Sequence, residues 1–406
     1  MVDKEMSTTC SNLGVKPMKC HVCRGPELQR VSFTTRPPCL VSSDVQAVDG
    51  QVHWAVCPHC QTIQKVLDDD WHRMMEAIYA SYDINHQAGG DEPRLFNTDF
   101  GSGPRSAILL KLVLSRIALP DAGRLLDVGC SNGNLLKTFH AERPRWRLFG
   151  SEISDGWRDT VQALPGVEDF YVGREPTFPL TYDVISLSHV VEHVPDPANL
   201  LRRLSASLAP GGFMVIATPN IRQNPIDLLI ADHCSHFDEN SIAQMLIEAG
   251  FEIVHLTGTS IPKELVSIVR VGAKREHSPR LFQDSPTDLC RHYFRLMEGV
   301  RNEAQAARAE ATAFGIMGSS VAAAWVSQEL EGRVDFFVDE DPSRQGRHLM
   351  GRPILGTGQV PTGATVFIPM SAPVAERIIG RAQGLSIRFR YLDWNRAVGP
   401  ATDKVG

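Results

Sequence analysis

Apolar and polar positions along the chain form short buried runs and helical stripes. Residues 124–128 (RLLDV) are an apolar run carrying one acid, the pattern of a buried parallel strand. Residues 129–133 (GCSNG) are small and turn-forming, and Leu135, Leu136 and Phe139 then recur at helical spacing. Further strands are predicted over 146–150, 167–172, 182–187 and 213–217, with a helix over 198–208. A second helix is capped by Asp238 or Asn240, runs to Ala249 and is stopped by Gly250, after which 251–256 and 265–271 fit two more strands.

Residues 68–83 read as one or two helices with Trp71, Met74, Met75, Ile78 and Tyr79 as a core-packing stripe. Residues 85–103 are polar and glycine-rich, hence a loop, and an apolar helix follows over 107–118. Residues 284–313 form a long helix with a polar face. A second strand–glycine–helix unit then begins, with Gly315 and Gly318 in its turn, a strand ending near Asp339, and later strands over 364–370 and near residue 390. The order is that of an α/β protein with two nucleotide-binding-like units. The expected divisions are 1–68, 69–280 and 281–406.

Length and charge narrow the function. A chain of 406 residues exceeds one ordinary domain. A formal net charge of −6 argues against sequence-wide affinity for nucleic acid, which needs many phosphate-neutralising cations. No apolar run reaches membrane-spanning length, and the N-terminal residues lack the apolar core of a signal peptide. A cytoplasmic protein with no membrane partner is expected.

The cysteines point to metal. Cys20 and Cys23, and Cys57 and Cys60, are two C-x-x-C knuckles. Two such turns can close a tetrahedral zinc site of four thiolates, and a closed site is structural. A redox C-x-x-C would want a βαβ context, and a nucleic-acid module a basic cluster; neither surrounds these knuckles. Cys10 and Cys39 have no evident partner. His21 and His59 lie inside the knuckles, where either can substitute for a cysteine.

The glycine turn at 129–133 follows Asp127 at the carboxyl end of its strand, where open α/β sheets bind ligands. Gly129 permits close approach of backbone to ligand. Glu152 follows the next strand, placed to accept hydrogen bonds from both ribose hydroxyls of NAD or S-adenosylmethionine.

The ordered set LLDVGCSNG, GSEIS, YDVISLSHVVEHVPDP and LAPGGFMVIATPN resembles a class I S-adenosylmethionine-dependent methyltransferase. That resemblance implies a Rossmann-like core whose last two strands are antiparallel. It implies cofactor contacts from Asp127, Gly129, Cys130, Gly133, Glu152, Ile153 and His189. Arg105, in the segment before the glycine strand, is a candidate for the cofactor's methionine carboxylate.

The whole arrangement is similar to the zinc-containing nucleotide-deoxysugar C-methyltransferases: two C-x-x-C knuckles, a methyltransferase core, and a Rossmann-like C-terminal unit carrying VDEDPSRQGRHLMGRPI. In that family the loop after strand five carries a histidine base in a motif ending like EHLSYY. Here DHCSHF aligns, which places the base at His233, with Asp232 beside it and His236 as a second polar partner. Ile230 stands where the family has tyrosine, and His236 where it has an aromatic residue. The acceptor implied is a nucleotide-linked keto-sugar, methylated at carbon. Carbon becomes nucleophilic only after a proton leaves from beside a carbonyl, which suits a histidine at neutral pH. Methyl transfer to oxygen or nitrogen of a sugar or secondary metabolite is the alternative. A zinc-bearing interaction protein that has lost activity is another. Glu192 and His193 read as shaping the entry to the following helix.

Overall fold

The computed structural model describes residues 18–25, 27–32, 36–80, 92–272 and 281–394; Cys10 lies outside them. Short strands come first: β1 (Gln29–Arg30), β2 (Leu40–Val41), β3 (Ala47–Val48), β4 (Trp54–Val56) and β5 (Ile63–Lys65). Strands β1, β4 and β5 pair antiparallel, and β2 and β3 form a separate hairpin. Helix α1 (Asp69–Tyr79) follows, capped by Asp68, whose side chain accepts from the Trp71 amide. It buries Trp71, Met74, Met75 and Ile78 along one face.

Residues 92–104 depart from the expected loop. They form a hairpin of β6 (Arg94–Thr98) and β7 (Gly101–Pro104). Gly101, at φ +90°, turns the chain where a side chain would be strained. Pro104 then starts helix α2 (Arg105–Arg116) two residues earlier than its apolar stripe suggests.

The central sheet uses β8 (Arg124–Val128), β9 (Arg147–Glu152), β10 (Val167–Val172), β11 (Tyr182–Ser188) and β12 (Leu208–Pro219). Helices α3 (Asn134–Glu142), α4 (Arg158–Gln162) and α5 (Pro197–Ser205) lie between them in sequence. After β12 come β13 (Ser235–His236), α6 (Glu239–Glu248), β14 (Phe251–Thr257) and β15 (Glu264–Val271). The seven-stranded order is β10-β9-β8-β11-β12-β15-β14. Its first five strands are mutually parallel, and β15 runs antiparallel to both β12 and β14. Ile185 of β11 stands opposite Leu126 on one side and Met214 on the other. All three are fully buried, which explains why these strands read as apolar runs rather than alternations. Asp238 caps α6 in a reciprocal pair with Ser241, and Gly250 follows its end at φ +95°.

Strand β13 belongs to a different sheet. It leaves the loop after β12 and pairs antiparallel with β5, Ser235 opposite Gln64 and His236 opposite Ile63. The N-terminal sheet is therefore completed by residues from the middle of the chain.

Helix α7 (Pro286–Ala309) leads to a six-stranded sheet built from β16 (Phe314–Met317), β17 (Phe336–Val338), β18 (His348–Leu349), β19 (Arg352–Leu355), β20 (Thr365–Phe367) and β21 (Arg388–Arg390). Helices α8 (Val321–Glu329) and α9 (Ala372–Arg381) accompany it. Gly315 was expected in the glycine turn but lies within β16. A Cβ there would meet the Phe336 ring at 2.2 Å, so its role is close packing; Gly318, at φ +90°, makes the turn. One apolar core joins the N-terminal strands to α7 and the C-terminal sheet, and in it Trp54 meets Phe294 edge-on with centroids 4.9 Å apart.

Arg222 fastens the loop after β12 to the segment preceding α7. Its guanidinium reaches Asp238 at 3.0 Å and Asp284 at 2.9 Å, and lies 3.6 Å from the Phe282 ring centroid. Removing one partner leaves two carboxylates without their cation. Arg222→Met should therefore cost roughly 3–5 kcal/mol of stability, read as a lower urea midpoint. An unchanged midpoint would mean that water already compensates these charges.

Candidate active site

Two regions at the carboxyl ends of the parallel strands hold the candidate residues. The first is the glycine turn after β8. Gly129 has φ +72°, and a Cβ there would meet Val190 at 2.5 Å, so both conformation and space call for glycine. Gly133 caps α3 at φ +80°. Glu152, at the end of β9, accepts from the amides of Ser131 (2.7 Å) and Ile153 (3.1 Å), which fixes its carboxylate beside the turn. Burial raises its pKa. Ile153 is 47% exposed, an apolar side chain at the rim. Cys130 is buried against Gly150, and burial raises its thiol pKa, so it packs rather than reacts. Asp127 is buried and accepts from the Ser186 hydroxyl at 2.7 Å; burial pushes it up to about 7.

Beside this turn, His189 sits in the left-handed region at φ +57°. Its ring nitrogens face Glu192 at 3.1 Å and Glu264 at 3.5 Å. Burial and the Arg105 charge oppose its protonation, but the two carboxylates outweigh them and hold it up at about 9. Arg105, the candidate for the cofactor's carboxylate, instead makes two bonds to Glu264, at 2.5 and 2.9 Å.

The second region is the loop between β12 and α6. His233 is 3% exposed. Its Nδ1 lies 2.7 Å from Asp227 Oδ1, and His236 Nδ1 lies 2.6 Å from Asp227 Oδ2. One carboxylate thus holds both imidazoles. Burial alone would raise Asp227, but His233 and His236 outweigh it and keep the carboxyl well below the usual range. His236 is driven down to about 4 by burial and by the neighbouring Lys65 charge. Asp232 does not touch His233 through a hydrogen bond. It accepts from the Ser43 amide at 2.8 Å and hydroxyl at 2.5 Å, and lies 3.3 Å from His193 Nδ1.

The sequence predicts that Glu192 and His193 shape a helix entry. They occupy a 3-10 turn, Val191–His193, which turns them toward His233. The His193 ring meets the His233 ring edge-on with centroids 4.5 Å apart, and Tyr79 OH lies 3.2 Å from His193 Nδ1. Glu192, His193 and His233 bring one ligand-type atom each within 4.8 Å of one another. Two imidazoles and a carboxylate can bind a divalent ion, and they can equally trade protons with a substrate.

Asp227, Tyr79 and Lys65 were not singled out in the sequence as site residues. Asp227 left a trace, since it is the lone acid in the apolar run over residues 225–231. Tyr79 was hidden by its place on a helical stripe. Lys65 carries no local signal.

The four knuckle cysteines form a second cluster. Their sulfurs lie within 4.8 Å of one another, with Cys20 to Cys60 and Cys23 to Cys57 each at 3.6 Å. Zinc–thiolate bonds of about 2.3 Å on a tetrahedron put sulfurs about 3.8 Å apart, so the cage has the right size. The Cys23 and Gly25 amides donate to Cys20 and Cys23 sulfur, both at 3.4 Å, as in a metal knuckle. His21 is no ligand in this arrangement; its Nε2 lies 2.8 Å from Ser235 Oγ.

The family model for a methyltransferase domain matches residues 105–256, which hold the glycine turn, Glu152, His189 and the His233 loop. Residues 105–256 are thus similar to a methyltransferase domain. A trans-aconitate 2-methyltransferase of Variovorax paradoxus is 29% identical over 121 residues, 29% of this chain and 47% of the relative. A ubiquinone biosynthesis O-methyltransferase of Marinobacter nauticus is 34% identical over 123 residues, 27% of this chain and 48% of the relative. The chain thus spans about half the length of the curated relatives it matches. A solved S-adenosylmethionine-dependent methyltransferase from Mesorhizobium loti is 16% identical, with a TM-score of 0.35, covering 40% of this chain and 97% of the other.

The buried acid of the methyltransferase domain makes a pH prediction. Asp127 has an ordinary value of 3.8 and stands at about 7 when folded, so the folded state holds the proton more tightly. Its contribution to stability is present below the unfolded value and is lost as pH rises toward 7. Asp127→Asn should match the wild type near pH 4 and exceed it at pH 8, measured as urea midpoints across that range. A variant less stable than the wild type at pH 8 would show that Asp127 is ionised and compensated.

Proposed function

We propose that the protein transfers a methyl group from S-adenosylmethionine to carbon of a nucleotide-linked keto-deoxysugar, with His233 as the general base. The observation that carries this reading is the buried Asp227–His233 pair on the loop after the fifth parallel strand. The expected division into a zinc module (1–68), a methyltransferase domain (69–280) and a C-terminal substrate-binding unit (281–406) belongs to the same reading.

The residues fit the cofactor. Glu152 is fixed at the turn by two amides, leaving acceptor capacity for ribose hydroxyls, and Gly129 and Gly133 supply the sharp turn that backbone approach needs. Asp127, Cys130, Ile153 and His189 complete the set. When bound, S-adenosylmethionine supplies an activated methyl on a sulfonium. The protein's task is alignment and proton removal, and alignment alone is worth roughly 7–11 kcal/mol.

With Nδ1 committed to Asp227, His233 takes the proton on Nε2. The proton comes from the carbon beside the substrate carbonyl, and that carbon's electron pair forms the new bond to the methyl. S-adenosylmethionine held at the Glu152 turn would supply the methyl and keep the electrons of the carbon–sulfur bond. Asp227 compensates the imidazolium formed on His233. His236 supports Asp227 from its other oxygen.

A second reading moves the methyl to oxygen. The ubiquinone biosynthesis O-methyltransferase among the relatives favours it. In that case His233 takes the proton from a hydroxyl.

His233→Ala should bind S-adenosylhomocysteine as the wild type does and lose about a hundredfold or more in methyl transfer. Asp227→Asn should fall in the same direction. The assay is transfer of labelled methyl to a panel of nucleotide-linked keto-deoxysugars. Equal turnover in His233→Ala would remove the base. Transfer only to hydroxylated metabolites would leave the oxygen reading.

The four cysteines are proposed to hold one structural zinc ion. Elemental analysis should then find one zinc per chain. Chelation should release the N-terminal sheet, seen as a change in Trp54 emission. A chain without zinc that keeps this sheet folded would rule the ion out as a structural element.

A further inference from the structure

We propose that Lys65, on the N-terminal sheet, is a positioning residue for His233: it fixes the tautomer of His236 and, through His236 and Asp227, sets how tightly His233 holds a proton. This rests on His233 being the base of the proposed reaction.

Lys65 is fully buried on β5. An ammonium has three donors and no acceptor. Two of them reach the Ile230 carbonyl at 2.5 Å and the His233 carbonyl at 2.6 Å. The third faces His236 Nε2 at 3.3 Å. Nε2 must therefore accept, which leaves the ring proton of His236 on Nδ1. From there it is donated to Asp227 Oδ2 at 2.6 Å. The opposite tautomer would set a ring lone pair against a carboxylate at that distance, which is repulsive. Asp227 is thus left with Oδ1 for His233 Nδ1–H, and His233 Nε2 is the nitrogen that carries the free lone pair.

The placement of the charge makes this more than packing. Among the described residues Lys65 makes no ion pair. Its charge is compensated at a distance by Asp227 and Asp232. A buried ammonium without a contacting carboxylate is costly unless it is fully hydrogen-bonded, and this one is. Its ammonium faces Nε2 of His236, the ring nitrogen away from Asp227, so it strengthens the Nδ1–H bond that His236 gives Asp227 and draws on the carboxylate that also serves His233. The other charged groups facing His233 are Glu192 and His193, from the 191–193 turn, and Asp232.

The test uses the full chain, labelled with carbon-13 and nitrogen-15 in its 14 histidines and saturated with S-adenosylhomocysteine. His233→Gln assigns the His233 signal and His236→Phe that of His236. In the wild type, His236 should show an Nδ1–H tautomer. Lys65→Met should raise the His233 titration midpoint by about one pH unit, a tenfold tighter hold on the proton. His236→Phe should move it the same way. This variant keeps both Lys65–carbonyl bonds, so it decides the matter where Lys65→Met does not fold. An Nε2–H tautomer of His236 in the wild type overturns the proposal. So does an unmoved His233 midpoint in whichever variant folds. These readouts need no substrate, so their failure is distinct from a failure of methyl transfer.

Discussion

A carboxylate taken out of water must find its compensation inside the protein, and Asp227 finds it in two imidazoles. It is 1% exposed, with one oxygen on His233 and the other on His236. Neither pair forms by sequence proximity alone. Asp227 stands in a 3-10 turn, Pro225–Leu229, while His236 lies on β13. The turn and the strand are held in register because β13 is stitched into the N-terminal sheet. If that pairing were lost, Asp227 would be left as a buried anion with mobile partners, a costly state.

The N-terminal sheet therefore does more than cap the molecule. Gln64 donates to Cys20 sulfur at 3.1 Å, and the next residue, Lys65, donates its amide to the Cys234 carbonyl at 3.0 Å. Val41 accepts from the Ala231 amide at 2.7 Å, and Ser43 holds Asp232. Through these bonds the knuckle cysteines and the His233 loop share one rigid strand, β5. A metal in the knuckles would act on the loop by holding β5 in place, at no direct contact with the substrate.

The glycine-turn edge and the His233 loop meet at Glu192. Its carboxylate accepts from Thr218 at 2.9 Å, faces His189 at 3.1 Å, and stands beside His193 and His233. Glu264 repeats the pattern between Arg105 and His189, and these cations hold it down at about 2. The buried acids Asp227, Asp232, Glu192 and Glu264 are thus each compensated by neighbours from several parts of the chain. Such preorganised charge is what methyl transfer from an already activated donor asks of a protein.

The periodic and punctuating features could be read without a structure. Apolar runs gave the parallel strands, Gly129 and Gly133 gave the turn, Asp238 and Gly250 bounded α6, and the C-x-x-C spacing gave the sulfur cluster. Each depends on residues close in sequence, where backbone sterics and side-chain period act directly. The hairpin at 94–104 escaped because it lies in a polar, glycine-rich stretch with no apolar alternation. The placement of Gly315 escaped because a glycine in a strand and one in a turn look alike until Phe336 is seen above it. His233 stands out in the sequence as a candidate through its motif, but its hydrogen-bond partner does not. Asp232 is the adjacent acid in sequence, yet Ser43 claims it, and Asp227 makes the bond. Lys65 and Tyr79 reach the site from far upstream, and only chain packing brings them there. The sequence determined which segments fold locally and which residues stand at the carboxyl ends of the parallel strands. The tertiary structure decided which buried charges meet, because that depends on long-range contacts that no local period encodes.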